Sequence, residues 1–246
     1  MKIEHENGYY RIDFNDDAVV CAFSNGRENM SFRDGPQENV LSNRKSFCDK
    51  LGINYSHLIC FDQVHGNTIT ELGIEDRGKG ALEKESAIGE TDAGVTRDKN
   101  VPFGILTADC VPLFFFDKEK KVVAVAHAGY KGTMKKIAIH TIEKMYKKYG
   151  CRVHNILVGI GPAIRECCYQ VTDEFKDYFP EHVREREGKL YCNLIDENRK
   201  QLISSGILTG NILDCGFCTV CDNDKFFSFR KEKDKAGRIL SLIMLK

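Results

Sequence analysis

Three short stretches each end an extended run on a side chain that can bind a metal or act as a nucleophile: Gln63-Val-His-Gly, Thr107-Ala-Asp-Cys and Ala126-His-Ala-Gly. In the last, small and branched apolar residues from Val122 to Ala126 lead straight into His127, and Gly129 and Gly132 then flank Tyr130-Lys131. Strand ends are where an α/β sheet presents functional groups to a crevice. Were His65, Cys110 and His127 to converge, one thiolate and two imidazoles would form a three-ligand zinc site with its fourth position open, the arrangement of catalytic rather than structural zinc. Water in that position has its pKa lowered to about 7, which supplies hydroxide at neutral pH. Each residue also has a plainer reading: His65 as a turn histidine, Cys110 as a core thiol, His127 as a hydrogen-bonded strand end. Asp109 weighs against the plain reading of Cys110, because a carboxylate at a strand end is costly to bury without a partner. The same residues permit a metal-free cysteine hydrolase with Cys110 as nucleophile and His127 as base.

The elements that must position these groups can be read from hydrophobic pattern. Asp17 to Ser24 reads as a strand and Glu38 to Gly52 as a helix with Val40, Leu41, Phe47 and Leu51 on one face and a terminal glycine. His57 to Leu72 reads as two extended runs broken at His65-Gly66, and Gly73 to Glu90, glycine-rich and charged, as an exposed loop. Phe103 to Asp117 and Lys120 to Ala128, joined by a short charged turn, predict a central antiparallel hairpin whose near-continuous apolar runs suit strands covered on both faces. A helix capped by Thr133 follows, with Met134, Ile137, Ala138, Thr141, Ile142 and Met145 at helical spacing and Gly150 closing it. His154 to Gly161 is another buried strand and Leu194 to Ser205 another helix; Cys215 to Leu245 reads as turn, strand, charged turn, strand. Without repeats, a Pro-rich linker or a composition break, one α/β domain spanning 1–246 is the simplest reading, with adjacent antiparallel strands that make a purely parallel sheet untenable.

Thirty-six basic and thirty-six acidic residues cancel, so no global field favours nucleic acid or an anionic membrane, and a small, locally steered ligand fits better. The N-terminal residues are charged and no apolar run reaches the roughly 18 residues of a membrane span. A cytoplasmic protein is expected. Its eleven cysteines are then free thiols, most of them small buried hydrophobes. Cys218 and Cys221 have Cys-x-x-Cys spacing, but Phe217 precedes them and no His-x-Glu lies upstream, so the cytidine-deaminase signature is not met; both read as turn thiols rather than ligands.

Five stretches in order, QVHG, TADCVP, HAGYKG, GIGPAIRECCYQV and FFSFRKEKDKAGR, resemble the successive signature motifs of the laccase-domain family, the purine nucleoside phosphorylases whose older label is multicopper polyphenol oxidoreductase. The resemblance runs from about Phe23 to the C-terminus. It implies a layered α/β/β/α fold with mixed sheets and a zinc ion held by His65, Cys110 and His127. It also implies phosphorolysis of adenosine, inosine and methylthioadenosine, and deamination of adenosine. Copper in a multicopper centre is not expected: seven histidines with no His-x-His pair are too few ligands. On this reading Cys110 and His127 stand at the reacting centre with Asp109 as the candidate proton relay. Lys131, Arg230 and Arg238 are available for phosphate, and Tyr130 and Phe229 for packing on the purine. Two positions depart from the family pattern. Tyr130-Lys131 stand where tryptophan and arginine are usual, and lysine cannot hold phosphate in a bidentate fork; Gly26 occupies an expected arginine position, with Arg27 one residue late. A nucleoside-binding module without turnover is the non-enzymatic alternative.

Overall fold

The longest apolar runs bury both faces of their strands. Val111, Leu113 and Phe115 pack to one side of their strand, Phe114 and Phe116 to the other, all fully buried, as the two-residue period of a strand requires. The computed structural model describes residues 1–246. In chain order its elements are β1 (Lys2–Glu6), β2 (Tyr9–Asp13), β3 (Val19–Ser24), α1 (Gln37–Lys50), β4 (Ile59–Cys60), β5 (Ile69–Glu71), β6 (Ala93–Thr96), β7 (Phe103–Thr107), β8 (Val111–Asp117) and β9 (Val122–Ala128). There follow α2 (Tyr130–Met134), α3 (Ile137–Tyr149), β10 (Ile156–Ile160), β11 (Gln170–Val171), α4 (Phe175–Tyr178), β12 (Val183–Arg186), β13 (Lys189–Cys192), α5 (Leu194–Ser204), β14 (Ile212–Asp214), α6 (Phe229–Glu232) and β15 (Ile239–Leu245).

Two six-stranded sheets, β1-β2-β3-β15-β7-β4 and β14-β10-β8-β9-β6-β5, form the middle of the molecule, and β11-β13-β12 make a small third sheet. Both large sheets are mixed: β4 runs parallel to β7, β5 to β6 and β14 to β10, while the remaining pairs are antiparallel. One core lies between the sheets, where Phe23, Phe103 and Ile243 meet Phe114, Phe116 and Val125. A second lies between β8-β9 and the helices, with Ile137, Ile142 and Met145 of α3 and Leu194 and Leu202 of α5. A third sets Phe47 and Cys48 of α1 against Val20, Leu240 and Leu242. The layers are therefore helix, sheet, sheet, helix, in one mixed α+β domain. No helix is long and apolar enough to cross a membrane.

The β8-β9 hairpin is present, in register from Asp117↔Val122 to Val111↔Ala128. The extended run expected from Phe103 to Asp117 is not one strand, however. It breaks at Ala108-Asp109-Cys110 and crosses from the first sheet to the second, with Asp109 at φ 87°, a turn that hydrophobicity alone does not register. Thr133 does not cap the following helix: it lies inside the short α2, and Lys136 in the left-handed region starts α3. The Gly73 to Glu90 loop is not wholly exposed, because the buried Arg44 guanidinium takes the carbonyls of Gly80 and Ala81 and draws that backbone inward. In place of the expected strand before the C-terminal one stands α6, capped by the Ser228 side chain accepting from Lys231 N–H.

Candidate metal centre

Three segments meet at one end of the sheets: the β4–β5 loop carrying His65, the β7–β8 crossover carrying Cys110, and the last residues of β9, which carry His127. Register explains two of them. Because Val111 pairs with Ala128, Cys110 falls beside Gly129, one step past the hairpin's last pair. A Cβ on Gly129 would stand 2.9 Å from the Cys110 sulfur and 3.2 Å from the His65 ring, so glycine here leaves the room the cluster occupies.

His65 owes its place to a residue the sequence reading missed. Asp92, fully buried just before β6, accepts hydrogen bonds from the backbone N–H groups of Val64 (3.2 Å), His65 (3.0 Å) and Gly66 (2.6 Å). The same carboxylate lies 2.8 Å from His127 Nδ1, and its carbonyl accepts the His127 N–H at 2.8 Å. One carboxylate thus curls the His65 loop, where His65 adopts φ 59°, and orients the His127 ring. A carboxylate can only accept, so the proton sits on Nδ1 and Nε2 is left for a ligand. The available signal was an acid opening the apolar run Ala93–Val95.

The donor atoms of His65, Cys110 and His127 lie within 4.8 Å of one another, and the imidazole centroids are 4.7 Å apart at 71°. Burial alone would push the Cys110 thiol up, but the His127 charge and hydrogen bonds from both imidazoles outweigh it and bring it down to about 6. Burial likewise disfavours the His127 imidazolium, yet the Cys110 charge and the Asp92 hydrogen bond raise it to about 9. Burial would raise Asp92 as well; the hydrogen bonds from His127 and Gly66 prevail and lower it. A thiolate and two imidazoles at this separation are donors of the kind zinc takes, and the carboxylate behind His127 is the outer support such ligands commonly have.

The cluster opens into a cavity of about 520 Å³ lined by Tyr130, Tyr169, Phe229, Arg44, Arg230 and Arg238, among others. Asp109 lies in its wall with both carboxylate oxygens engaged: Oδ1 accepts from the hydroxyls of Thr219 (2.6 Å) and Ser228 (2.7 Å), Oδ2 from Arg230 N–H (2.6 Å). The Arg230 side chain donates to the Gln170 carbonyl and stacks near Tyr169; Arg238 stands 3.6 Å from Asp34. Lys131 is exposed and does not line the cavity. Gly26 could not be arginine, since its Cβ would fall 2.5 Å from Phe226 backbone, and Arg27 is exposed. Arg44, which no motif or spacing singles out, lines the cavity instead. It is buried, and its hydrogen bonds go to the carbonyls of Met30, Gly80 and Ala81.

Two mixed sheets layered between helices, with one cysteine and two histidines gathered under a cavity walled by aromatics and arginines, define a class: layered α+β proteins with a candidate catalytic metal centre. The family described as multi-copper polyphenol oxidoreductase laccase matches residues 23–246, and the chain belongs to it. It is 35% identical over 215 residues, 84% of this chain and 77% of the relative, to the purine nucleoside phosphorylase YlmD of Bacillus subtilis (strain 168). It is 32% identical over 216 residues, 84% of this chain and 82% of the relative, to adenosine deaminase RL5 from an unknown prokaryotic organism. The crystal structure of the hypothetical protein YfiH of Bacillus licheniformis superimposes with a TM-score of 0.95 at 29% identity, covering 99% of each chain.

Proposed function

We propose that this chain is a zinc-dependent purine nucleoside phosphorylase that acts on adenosine, inosine and methylthioadenosine and also deaminates adenosine. The observation that carries the reading is the convergence of His65, Cys110 and His127 on the wall of a cavity of about 520 Å³, within the size range of small-molecule sites. Zinc held there supplies a Lewis acid beside the substrate. The residues do the rest. Asp92 keeps the proton on His127 Nδ1 and holds the His65 loop. Tyr130 and Phe229, both lining the cavity, pack against the flat purine. Phosphorolysis breaks the bond between base and sugar, bonds a phosphate oxygen to the sugar's anomeric carbon and leaves the electron pair and a proton with the base; the incoming anion needs guanidinium contacts. Arg44, Arg230 and Arg238, which line the cavity, are assigned this role, and the hydrogen bonds of Arg44 go to carbonyls rather than to a carboxylate. Lys131, on the outside of α2, has no part in it. Deamination replaces the amino group at C6 with the oxygen of water and releases ammonia. Asp109 acts as a positioning residue, since its hydrogen bonds hold Thr219, Ser228 and the first turn of α6 around Cys110.

A second imidazole on the Cys110 sulfur supports the metal reading over a metal-free cysteine–histidine pair, which requires only His127. The free state of all eleven cysteines suits the reducing cytoplasm, where we place the protein. Incubating the purified protein with adenosine, with and without phosphate, and separating the products tests the reading. Adenine that forms only with phosphate and inosine that forms without it are expected; adenosine bound but unchanged in both mixtures would make this a binding module.

A further inference from the structure

Away from the cavity cluster, a second group of metal-capable side chains comes together from two loops about fifty residues apart in the chain. Cys167 and Cys168, in the loop between β10 and β11, meet Cys218 and Cys221, in the turn after β14, and the four sulfurs lie within 4.8 Å of one another. Three of the six edges are 3.6 Å for Cys167–Cys218, 3.7 Å for Cys167–Cys221 and 3.5 Å for Cys168–Cys221. These lengths discriminate. A disulfide requires about 2.05 Å, whereas a tetrahedron of sulfurs at about 2.3 Å from a central zinc has edges of about 3.8 Å. The four do not behave as packing residues either. Cys21, Cys48, Cys60, Cys151 and Cys192 are buried, as small hydrophobes are, whereas of these four only Cys218 is buried, Cys168 is half-buried and Cys167 and Cys221 are exposed.

The backbone prepares the cluster. Thr219 N–H donates to the Ala163 carbonyl at 3.1 Å, and Arg165 Nε donates to the Phe217 carbonyl at 3.0 Å while its other end pairs with Asp214, so the two loops are locked side by side. Around the buried Cys218 sulfur, the N–H groups of Cys221, Arg165 and Val220 act as donors. Donors from the second and third residues after a cysteine are what a Cys-x-x-Cys turn offers a metal-bound thiolate.

We propose that Cys167, Cys168, Cys218 and Cys221 form a second metal site, a closed four-thiolate site for a structural zinc ion, separate from the centre at His65, Cys110 and His127. With four protein ligands it has no open position and no catalytic role of its own. Its effect is to staple two loops that build the cavity wall: Thr219, between two of the ligands, holds Asp109, and Tyr169, directly after Cys168, lines the cavity. The site does not depend on which reaction the cavity supports.

The test is metal analysis of the full-length protein purified under reducing conditions, wild type beside His65→Ala and the double variant Cys168→Ser/Cys221→Ser. The wild type should hold about two zinc ions per chain and each variant about one, with X-ray absorption of the His65→Ala protein showing an all-sulfur shell at about 2.3 Å. Native wild-type protein should also protect these four thiols from alkylation, mapped by mass spectrometry, until a chelator is added. A folded His65→Ala protein without zinc would overturn the proposal. So would rapid alkylation of all four thiols in the wild type, which needs no variant to fold, or a disulfide among them under reducing conditions.

Discussion

At the cavity cluster one carboxylate, Asp92, serves both imidazoles: it takes the His127 Nδ1–H and three backbone N–H groups of the His65 loop. Asn at this position keeps the shape but turns an NH₂ toward one set of those donors, which loosens the loop and the ring together. Asp92→Asn should weaken zinc binding by about 10- to 100-fold, measured by competition with a chromophoric chelator; unchanged affinity would show that the His65 loop holds itself. Gly129→Ala makes a complementary change. Its backbone, at φ −66°, tolerates alanine, but the new methyl would lie 2.9 Å from the Cys110 sulfur. Metal affinity and turnover should fall, and with them the part of the stability that zinc supplies, read by urea unfolding with and without zinc; a variant with wild-type zinc content and turnover would count against the cluster's tightness. That His65, Cys110 and His127 come together was legible from the QVHG, TADC and AHAG stretches and the family resemblance they carry. Asp92 was not, since its role depends on a backbone loop that folds back over it.

At the scale of elements, the β7–β8 crossover turns a single apolar run into strands of two different sheets. Periodicity cannot show this, because both strands are covered on both faces and read alike. What marks the break is Asp109, whose carboxylate gathers two hydroxyls and an N–H and so joins the crossover to the Thr219 turn and to α6. Asp109→Ala leaves those donors unpaired and should cost about 1–3 kcal/mol of stability per unsatisfied buried group at most, read by urea denaturation, with turnover falling more than substrate affinity. An equal loss in both would point to direct substrate contact. The β8-β9 hairpin, α1 and α5 were readable from pattern and end signals. The division of the helix after His127 was not, for the left-handed Lys136 carries no glycine or proline to announce it.

Over the whole molecule, stability and site share one framework: the core between the sheets fixes the spacing of the strand ends that deliver Cys110 and His127. Phe114, fully buried in that core, should cost about 3–5 kcal/mol on truncation to alanine, and zinc added in excess should recover part of it by binding only the folded state; chemical denaturation with and without zinc reads both. The layered order was legible only through the family resemblance; the near-continuous apolar runs of β8 and β9 required no more than cover on each of their faces. The four-cysteine group was not legible, since Cys-x-x-Cys shows only half of it and the partner pair lies far away in the chain. The most direct test of the central claim is anomalous diffraction at the zinc edge from crystals of the purified protein. The account predicts a peak within about 2.0–2.3 Å of donor atoms of His65, Cys110 and His127, with its fourth side open to the cavity. Imidazoles turned away from the Cys110 sulfur, with no peak among them, would contradict it.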